Sequence, residues 1–319
     1  MLRLFLISLS KAAWAQQLVT GWKLAWRAAS RFVAGSTIEE AVIVVRELNA
    51  KGINVSLDHL GESTTTRDEA IRATNDILEL LDQIDRAGVR ANVSIKLTQV
   101  GLALDDELCN KNLESILARA GQYSNFVRID MEDTPYTEQT INQYRQMRAR
   151  GYQQTGLVIQ SYLFRSEKDV GELQKNSTRI RLVKGAYKEP PDLAFPKKAD
   201  VDANFDKMAK ELIDIALAAG SPSLSTDGKI PPIPAFGTHD QKRIQFAKDY
   251  ADRVGLPKQA LEFQMLYGIR RDLQSQCLRE GYPVRIYVPY GTQWYPYFMR
   301  RLAERPANVW FFVSNFFRK

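Results

Sequence analysis

Eight short apolar runs recur along the chain, each closed by a polar residue and followed by a helix-length segment. They read INVSLD (53–58), ANVSIKL (91–97), FVRIDM (126–131), GLVIQSY (156–162), RIRLVKG (179–185), IPAFGTH (233–239), LEFQML (261–266) and VRIYVPY (284–290). Runs rich in Val and Ile that alternate with helices are the pattern of parallel strands covered on both faces. Helices are expected near 67–87, 107–120, 137–150, 166–176, 200–219, 240–254, 268–281 and 293–304. Eight such βα units predict an α/β protein whose strands close into a (β/α)8, TIM-type barrel, with its chemistry at the C-terminal strand ends. Those ends carry Asp58, Lys96, Asp130, Gln160, Lys184, His239, Gln264 and Tyr287.

Ahead of the first strand, residues 1–33 read as one or two basic amphipathic helices. Ser36-Thr37-Ile38-Glu39 then has the spacing of a capping box, opening a helix that runs to Ala50 and stops at Lys51-Gly52. That helix is expected across the barrel bottom or beside it. The Ser-, Pro- and Gly-rich stretch 221–234 precedes a strand, so it is expected at the bottom or at a helix end, away from chemistry. The organisation is an N-terminal helical extension over 1–52 packing on the barrel, a catalytic barrel over 53–310 and a tail over 311–319.

Composition narrows the chemistry. The 319 residues are 45% hydrophobic and 25% charged, as in globular proteins. Two cysteines, Cys109 and Cys277, fall in predicted helices and read as free thiols of a reducing compartment. With only His59 and His239, the imidazoles that zinc or iron sites in barrels draw on are missing, so no metal is expected. The net charge is +7, and Arg3, Lys11, Lys23, Arg27 and Arg31 all precede the first acid, Glu39. Basic residues interleaved with exposed aromatics are not evident, which argues against nucleic acid. A basic arm fits peripheral contact with an anionic membrane, or packing on the barrel. The opening apolar run is short and broken by Ser8, Ser10 and Lys11, so the expectation is a cytoplasmic protein, at most peripheral at the inner face of the membrane.

Several side chains stand out as candidates. In QWYPYFMRRLAERP, Tyr297, Arg300, Arg301 and Glu304 share one helix face at i, i+3, i+4 and i+7. That face reads either as a solvated stripe with an Arg300–Glu304 pair or, since the helix starts just after strand eight, as a double guanidinium grip on an oxyanion. Arg181 lies inside an apolar strand and needs a partner, either a barrel salt bridge to Asp130 or a ligand. Lys96 and Asp130 end adjacent strands within ion-pair reach. Thr238 and His239 close strand six at a helix start, suited to phosphate. Tyr187, Tyr287, Tyr290, Tyr295 and Tyr297 make the mouth aromatic, and the polar loop Asp58–Glu62 reads chiefly as turn chemistry.

These blocks together resemble proline dehydrogenase in its short, monofunctional bacterial form. The resemblance is carried by VSLDHLGES, SIKLTQVGL, RIDMEDT, IQSYL, RLVKGAY, FGTHD, LEFQMLYG, RIYVPYG and YFMRRLAE, in this order over roughly residues 30–310. It implies a (β/α)8 barrel holding FAD noncovalently, oxidising L-proline to 1-pyrroline-5-carboxylate by hydride transfer to flavin N5, with electrons passed to a membrane quinone. Arg300, Arg301 and Lys96 would then bind the substrate carboxylate, Tyr187, Tyr287, Tyr297 and Leu266 would wall the ring, and Asp130 would orient the cations. Gln160, Arg181, Val183, Gly185, Ala186, Thr238 and His239 would contact the flavin, Arg181 near N5, with Glu304 behind the arginine pair. The loop 221–234 departs from the family segment that helps hold the FAD phosphates. Two rival readings stay open: an aldolase-like barrel using Lys96 or Lys184 as a Schiff-base nucleophile, and a non-catalytic binding barrel.

Overall fold

Each of the eight runs forms a strand: β1 (Asn54–His59), β2 (Ala91–Ile95), β3 (Val127–Ile129), β4 (Thr155–Gln160), β5 (Arg179–Val183), β6 (Pro234–Gly237), β7 (Glu262–Leu266) and β8 (Val284–Tyr290). Every neighbouring pair is parallel, and β8 returns to β1 with Arg285–Tyr290 opposite Asn54–His59, closing the barrel. The computed structural model describes residues 23–304 except Ser63, Lys175, Asn176 and Lys188, and the side chains of Lys23, Leu24 and Glu304 are not described. Residues 1–22 and the tail 311–319 therefore lie outside the described residues.

The helices are α1 (Lys23–Ala29), α2 (Ile38–Ala50), α3 (Arg67–Ala87), α4 (Asp106–Gln122), α5 (Thr134–Ala149), α6 (Ser166–Gln174), α7 (Lys198–Ala218), α8 (Gln241–Val254), α9 (Arg271–Arg279) and α10 (Trp294–Glu304). Their ends follow local chemistry. Thr66 and Glu69 form a reciprocal box at the start of α3, which stops at Gly88 with φ 60°. At α2 the box is Thr37 with Glu40, one residue later than Ser36 with Glu39. The two spacings overlap, and Glu40 wins because its Oε2 accepts both Ser36 N (2.6 Å) and Thr37 N (3.3 Å).

Apolar strand residues such as Val55, Leu57, Val93, Ile95 and Ile129 pack into the main core with the helices. The barrel interior is polar instead, where barrels of this class usually stack branched aliphatics. Ser56 donates to Asn92, and Arg285 Nε makes two 3.1 Å bonds to the Glu262 carboxylate. Arg128 donates to the Leu157 and Arg179 carbonyls. A Cβ on Gly156 would lie 2.2 Å from the Arg179 carbonyl and 2.8 Å from the Arg128 guanidinium, so the glycine makes room for both partners of that bond.

Arg285 Nη2 reaches the Gly228 carbonyl at 2.7 Å, and Asn92 Nδ2 reaches the Lys229 carbonyl at 2.8 Å. The loop 221–234 thus plugs the barrel bottom, opposite the strand ends that carry chemistry. Helix α2 lies beside the barrel, against β1, β8 and α3. At the top, a second apolar cluster joins Ala25, Ala29, Phe32 and Val33 to Trp294, Phe298 and Leu302 of α10. Trp26 meets Trp294 edge-on at 5.4 Å, so this part of the N-terminal segment packs on α10. Cys109 and Cys277 are free and buried in α4 and α9.

Candidate active site

Strand alternation sends Asp58, Lys96, Asp130, Arg181 and Tyr287 into the barrel mouth, where they form one network. Lys96 Nζ lies 3.2 Å from Asp58, 3.7 Å from Glu62 and 4.0 Å from Asp130, and it donates to the Tyr287 hydroxyl at 3.3 Å. Tyr287 Oη in turn donates to Asp130 Oδ2 at 2.8 Å. Asp130 Oδ1 accepts Arg181 Nη1 at 2.7 Å, and Arg181 Nη2 reaches Ser94 at 3.1 Å. Arg181 Nε donates to Gln264, whose amide is fixed by its own 2.6 Å bond to Glu262. Of the two partners open to Arg181 in sequence, the structure shows the barrel salt bridge to Asp130.

Burial alone would strip Lys96 of its proton, but Asp58, Glu62 and Asp130 outweigh it and the net shift is upward. Glu62 is held below the usual carboxylate range because Lys96 and Arg300 overcome its burial. Burial, then Asp130 and Asp58, push the Tyr287 phenol well up, so it stays a neutral donor. A lysine this firmly protonated is a poor nucleophile. Lys184 points the other way along β5 and is clasped at 2.5 Å by both Asp202 and Asp240, outside the mouth. The aldolase reading thus loses both of its lysines.

Helix α10 leans over the mouth as its spacing predicts. Arg300 pairs with Glu62, while Arg301 is buried with its guanidinium 5.0 Å above the Tyr297 ring. Leu266 at the end of β7 packs against the same apolar cluster as Tyr297. Two tyrosines leave the expected lining: Tyr290 is buried 5.2 Å from the His59 ring, and Tyr295 is buried beside Trp294. Tyr187 is exposed at the rim, where its phenol feels Glu62, Lys96, Glu132 and Arg300. The side chain of Glu304 lies outside the described residues.

The ends of β4, β5 and β6 form the other half of the mouth. Gln160 donates to the Glu132 carbonyl at 2.9 Å. Val183 and Gly185 are half-buried and Ala186 is exposed, so the end of β5 opens outward while its middle is covered. Gly185 has φ +116°, and a Cβ there would strike the Tyr162 ring at 2.4 Å. Thr238 Oγ1 accepts from Asp240 N at 3.1 Å. His239 Nε2 accepts from Leu266 N at 2.9 Å, which assigns the imidazole proton to Nδ1 and makes this side chain a tie between β6 and β7. Among the described residues, no group of His, Cys, Asp and Glu is arranged to hold a metal.

Two acids escaped the sequence reading. Glu62, taken as part of a turn, is the partner of Arg300. Glu132 sits buried behind Lys96 with Thr98 Oγ1 donating to its carboxyl at 2.9 Å.

A family model described as proline dehydrogenase matches residues 41–313. The chain belongs to the proline dehydrogenase family. Proline dehydrogenase 1 of Bacillus subtilis (strain 168) is 40% identical over 291 residues, 91% of each chain. The proline dehydrogenase of Deinococcus radiodurans is 41% identical over 294 residues, 91% of this chain and 90% of that one. The crystal structure of proline utilization A (PutA) from Bdellovibrio bacteriovorus, inactivated by N-propargylglycine, matches with a TM-score of 0.77 at 26% identity. That match covers 88% of this chain and 33% of the PutA chain. The proline dehydrogenase resemblance read from RLVKGAY, EFQMLYG and YFMRR is borne out, as is the barrel, and the chain is an oxidoreductase of this family.

Proposed function

We propose that the protein oxidises L-proline to 1-pyrroline-5-carboxylate, the first step of proline catabolism, with FAD as cofactor and a membrane quinone as electron acceptor. The observation that carries this reading is one mouth holding three cations on one side and an open, small-residue strand end on the other. Arg300, Arg301 and Lys96 supply the cations, and Val183, Gly185 and Ala186 form the strand end. A small zwitterionic ring fits the first half and a flat aromatic cofactor fits the second.

The residues present suit a flavin. Val183 and Ala186 leave the end of β5 open to a flat ring, and Arg181, fixed by Asp130 and Gln264, would offer that ring a positioned cation. Gln160, Val183, Ala186, Thr238 and His239 complete the wall. When bound, FAD would accept the hydride at N5 and release two electrons to the quinone.

The chain's own residues bind, orient and exclude water. Arg300 and Arg301 grip the substrate carboxylate; Glu62 holds Arg300 until that carboxylate replaces it. Lys96 keeps its charge and adds a third contact. Tyr287, Tyr297, Tyr187 and Leu266 enclose the ring, leaving the reacting carbon in a water-poor space. Asp130 orients Tyr287 and Arg181 together. No described helix is long and apolar enough to cross a membrane. Quinone access in this reading is by peripheral contact at the inner face.

The visible spectrum of the purified protein tests the proposal. A yellow protein that bleaches on anaerobic addition of L-proline supports it. A colourless protein, or flavin that proline leaves oxidised, overturns it.

A further inference from the structure

The substrate of this reaction arrives as a secondary ammonium, since alkylammonium groups lose a proton only near pH ~10. Its nitrogen lone pair must be free before a carbon–nitrogen double bond can form, so one proton has to leave inside the mouth. The obvious bases are occupied. Asp58 is bonded to Lys96, and Asp130 to Arg181 and Tyr287. Glu62 keeps Lys96 at 3.7 Å even when the substrate carboxylate takes Arg300 from it, and that lysine lowers its proton affinity. Lys96 already holds its proton, and the Nε2 lone pair of His239 is taken by Leu266 N.

We propose that Glu132 accepts the ammonium proton of the bound substrate, an inference that rests on the proline-oxidising reading above. Glu132 is only 5% exposed, and among the described residues it forms no ion pair. Its side-chain partner is the Thr98 hydroxyl from the 3-10 turn after β2, and Thr98's carbonyl is bound by Thr64 of the Glu62 loop. The charged groups facing it are Lys96 just after β2, Glu62 from the β1–α3 loop and its neighbour Asp133, and it lies close enough to perturb the Tyr187 phenol from beyond β5. It thus stands beside the substrate's cationic contacts without being neutralised by any of them. Burial raises its proton affinity more than Thr98 and Lys96 lower it, pushing the carboxyl up to about 7. A base matched to the working pH is the effective one.

The step moves one proton. The ammonium N–H bond breaks, its electron pair stays on nitrogen, and an O–H bond forms on Glu132, directly or through one water. No oxidant enters this step. The freed lone pair then supports loss of hydride from the adjacent carbon.

The test is the pH profile of kcat/KM for L-proline with FAD-loaded enzyme. The wild type is expected to rise through an ionisation near 7. Glu132→Gln should abolish that limb and lower kcat at pH 7 by about 100-fold, with KM and bound flavin little changed and recovery toward wild type near pH 10. Thr98→Val removes a hydrogen bond to the ionised carboxylate and should move the limb upward, which a merely structural role would not do. Carbon-13 NMR of Glu-labelled protein should show a carboxyl titrating near 7 that is missing in Glu132→Gln, independently of turnover. An unchanged limb in both variants, or a Glu132 signal titrating near 4.5, overturns the assignment while leaving proline oxidation intact. A wild type that proline does not reduce overturns both readings.

Discussion

Arg300 rests its guanidinium on the Glu62 carboxylate while its neighbour Arg301 stacks on Tyr297, so two adjacent arginines on one helix are held by different forces. The Arg300 side chain is 33% exposed and its partner 25%. It can therefore exchange one carboxylate for another at modest cost, whereas the buried Arg301 is fixed in place.

The two arginines should respond unequally to mutation. Losing a charge-assisted contact from a closed site costs about 2–5 kcal/mol, roughly 30-fold to several thousand-fold in kcat/KM. Solvent screening at Arg300 places Arg300→Met near the low end, and Arg301→Met belongs near the high end. Arg301→Lys should recover little, because an ammonium cannot reproduce the planar stacked fork. Steady-state kinetics with L-proline decide this, and equal, near-normal values for both would show a surface feature.

Arg181 should matter to both cofactor and fold. Arg181→Met leaves Asp130 buried against Tyr287 with its nearer cation gone and only Lys96, at 4.0 Å, remaining, so the loss belongs near the low end of the about 3–5 kcal/mol that breaking a buried pair costs. Flavin content should fall and the bound flavin should be harder to reduce. Adding Asp130→Asn should return part of the lost stability but not the flavin behaviour. A denaturation series on the single and double variants, with flavin content measured alongside, separates the two effects; full flavin retention with normal reduction would remove Arg181 from the cofactor's surroundings.

Residue alternation explains what was legible. A strand has two faces, so Arg181 and Lys184, three apart, had to point oppositely, and the mouth residues Lys96, Asp130 and Tyr287 follow from position alone. Lys184 was counted with the strand ends for its place at the end of β5, although alternation already turns it away from Arg181; Asp202 on α7 and Asp240 before α8 hold it on that outer side. The polar interior was hidden because Ser56, Asn92 and Ser94 read like any half-buried strand face. Glu62 lies in a loop with no periodicity to aim it. Glu132 sits in Met131-Glu132-Asp133, where spacing cannot say which acid turns inward. Tyr290 and Tyr295 look like pocket aromatics in sequence, yet packing against His59 and Trp294 consumes them.

The N-terminal segment should serve two functions. Residues 1–22 carry part of the basic excess, and removing them should reduce turnover with quinone-bearing anionic vesicles while sparing a soluble dye, in a salt-sensitive way. Removing residues 1–33 also strips Phe32 and Trp26 from α10. Deleting a buried Phe alone costs about 3–5 kcal/mol, so this longer deletion should raise KM for proline with either acceptor. Comparable activity of the two truncations with the dye would show that α10 holds its place unaided.

Stability against pH carries the signature of Glu132. Its carboxyl moves from an ordinary 4.5 to about 7 on folding because it is buried beside few compensating donors. The folded protein therefore keeps a proton that the unfolded chain releases, and stability is full below pH 4.5 and lost as pH climbs through about 7. The two values correspond to about 3 kcal/mol from this one group. Asp58, also raised by burial, acts in the same direction, so the wild-type slope alone is not diagnostic. Glu132→Gln removes only the Glu132 part: its stability relative to wild type should improve by about 3 kcal/mol between pH 4.5 and pH 8. Urea unfolding of both proteins across that range, with FAD in fixed excess so that cofactor binding does not vary, measures the difference, and parallel curves would mean that Glu132 is already ionised in the folded protein at pH 5.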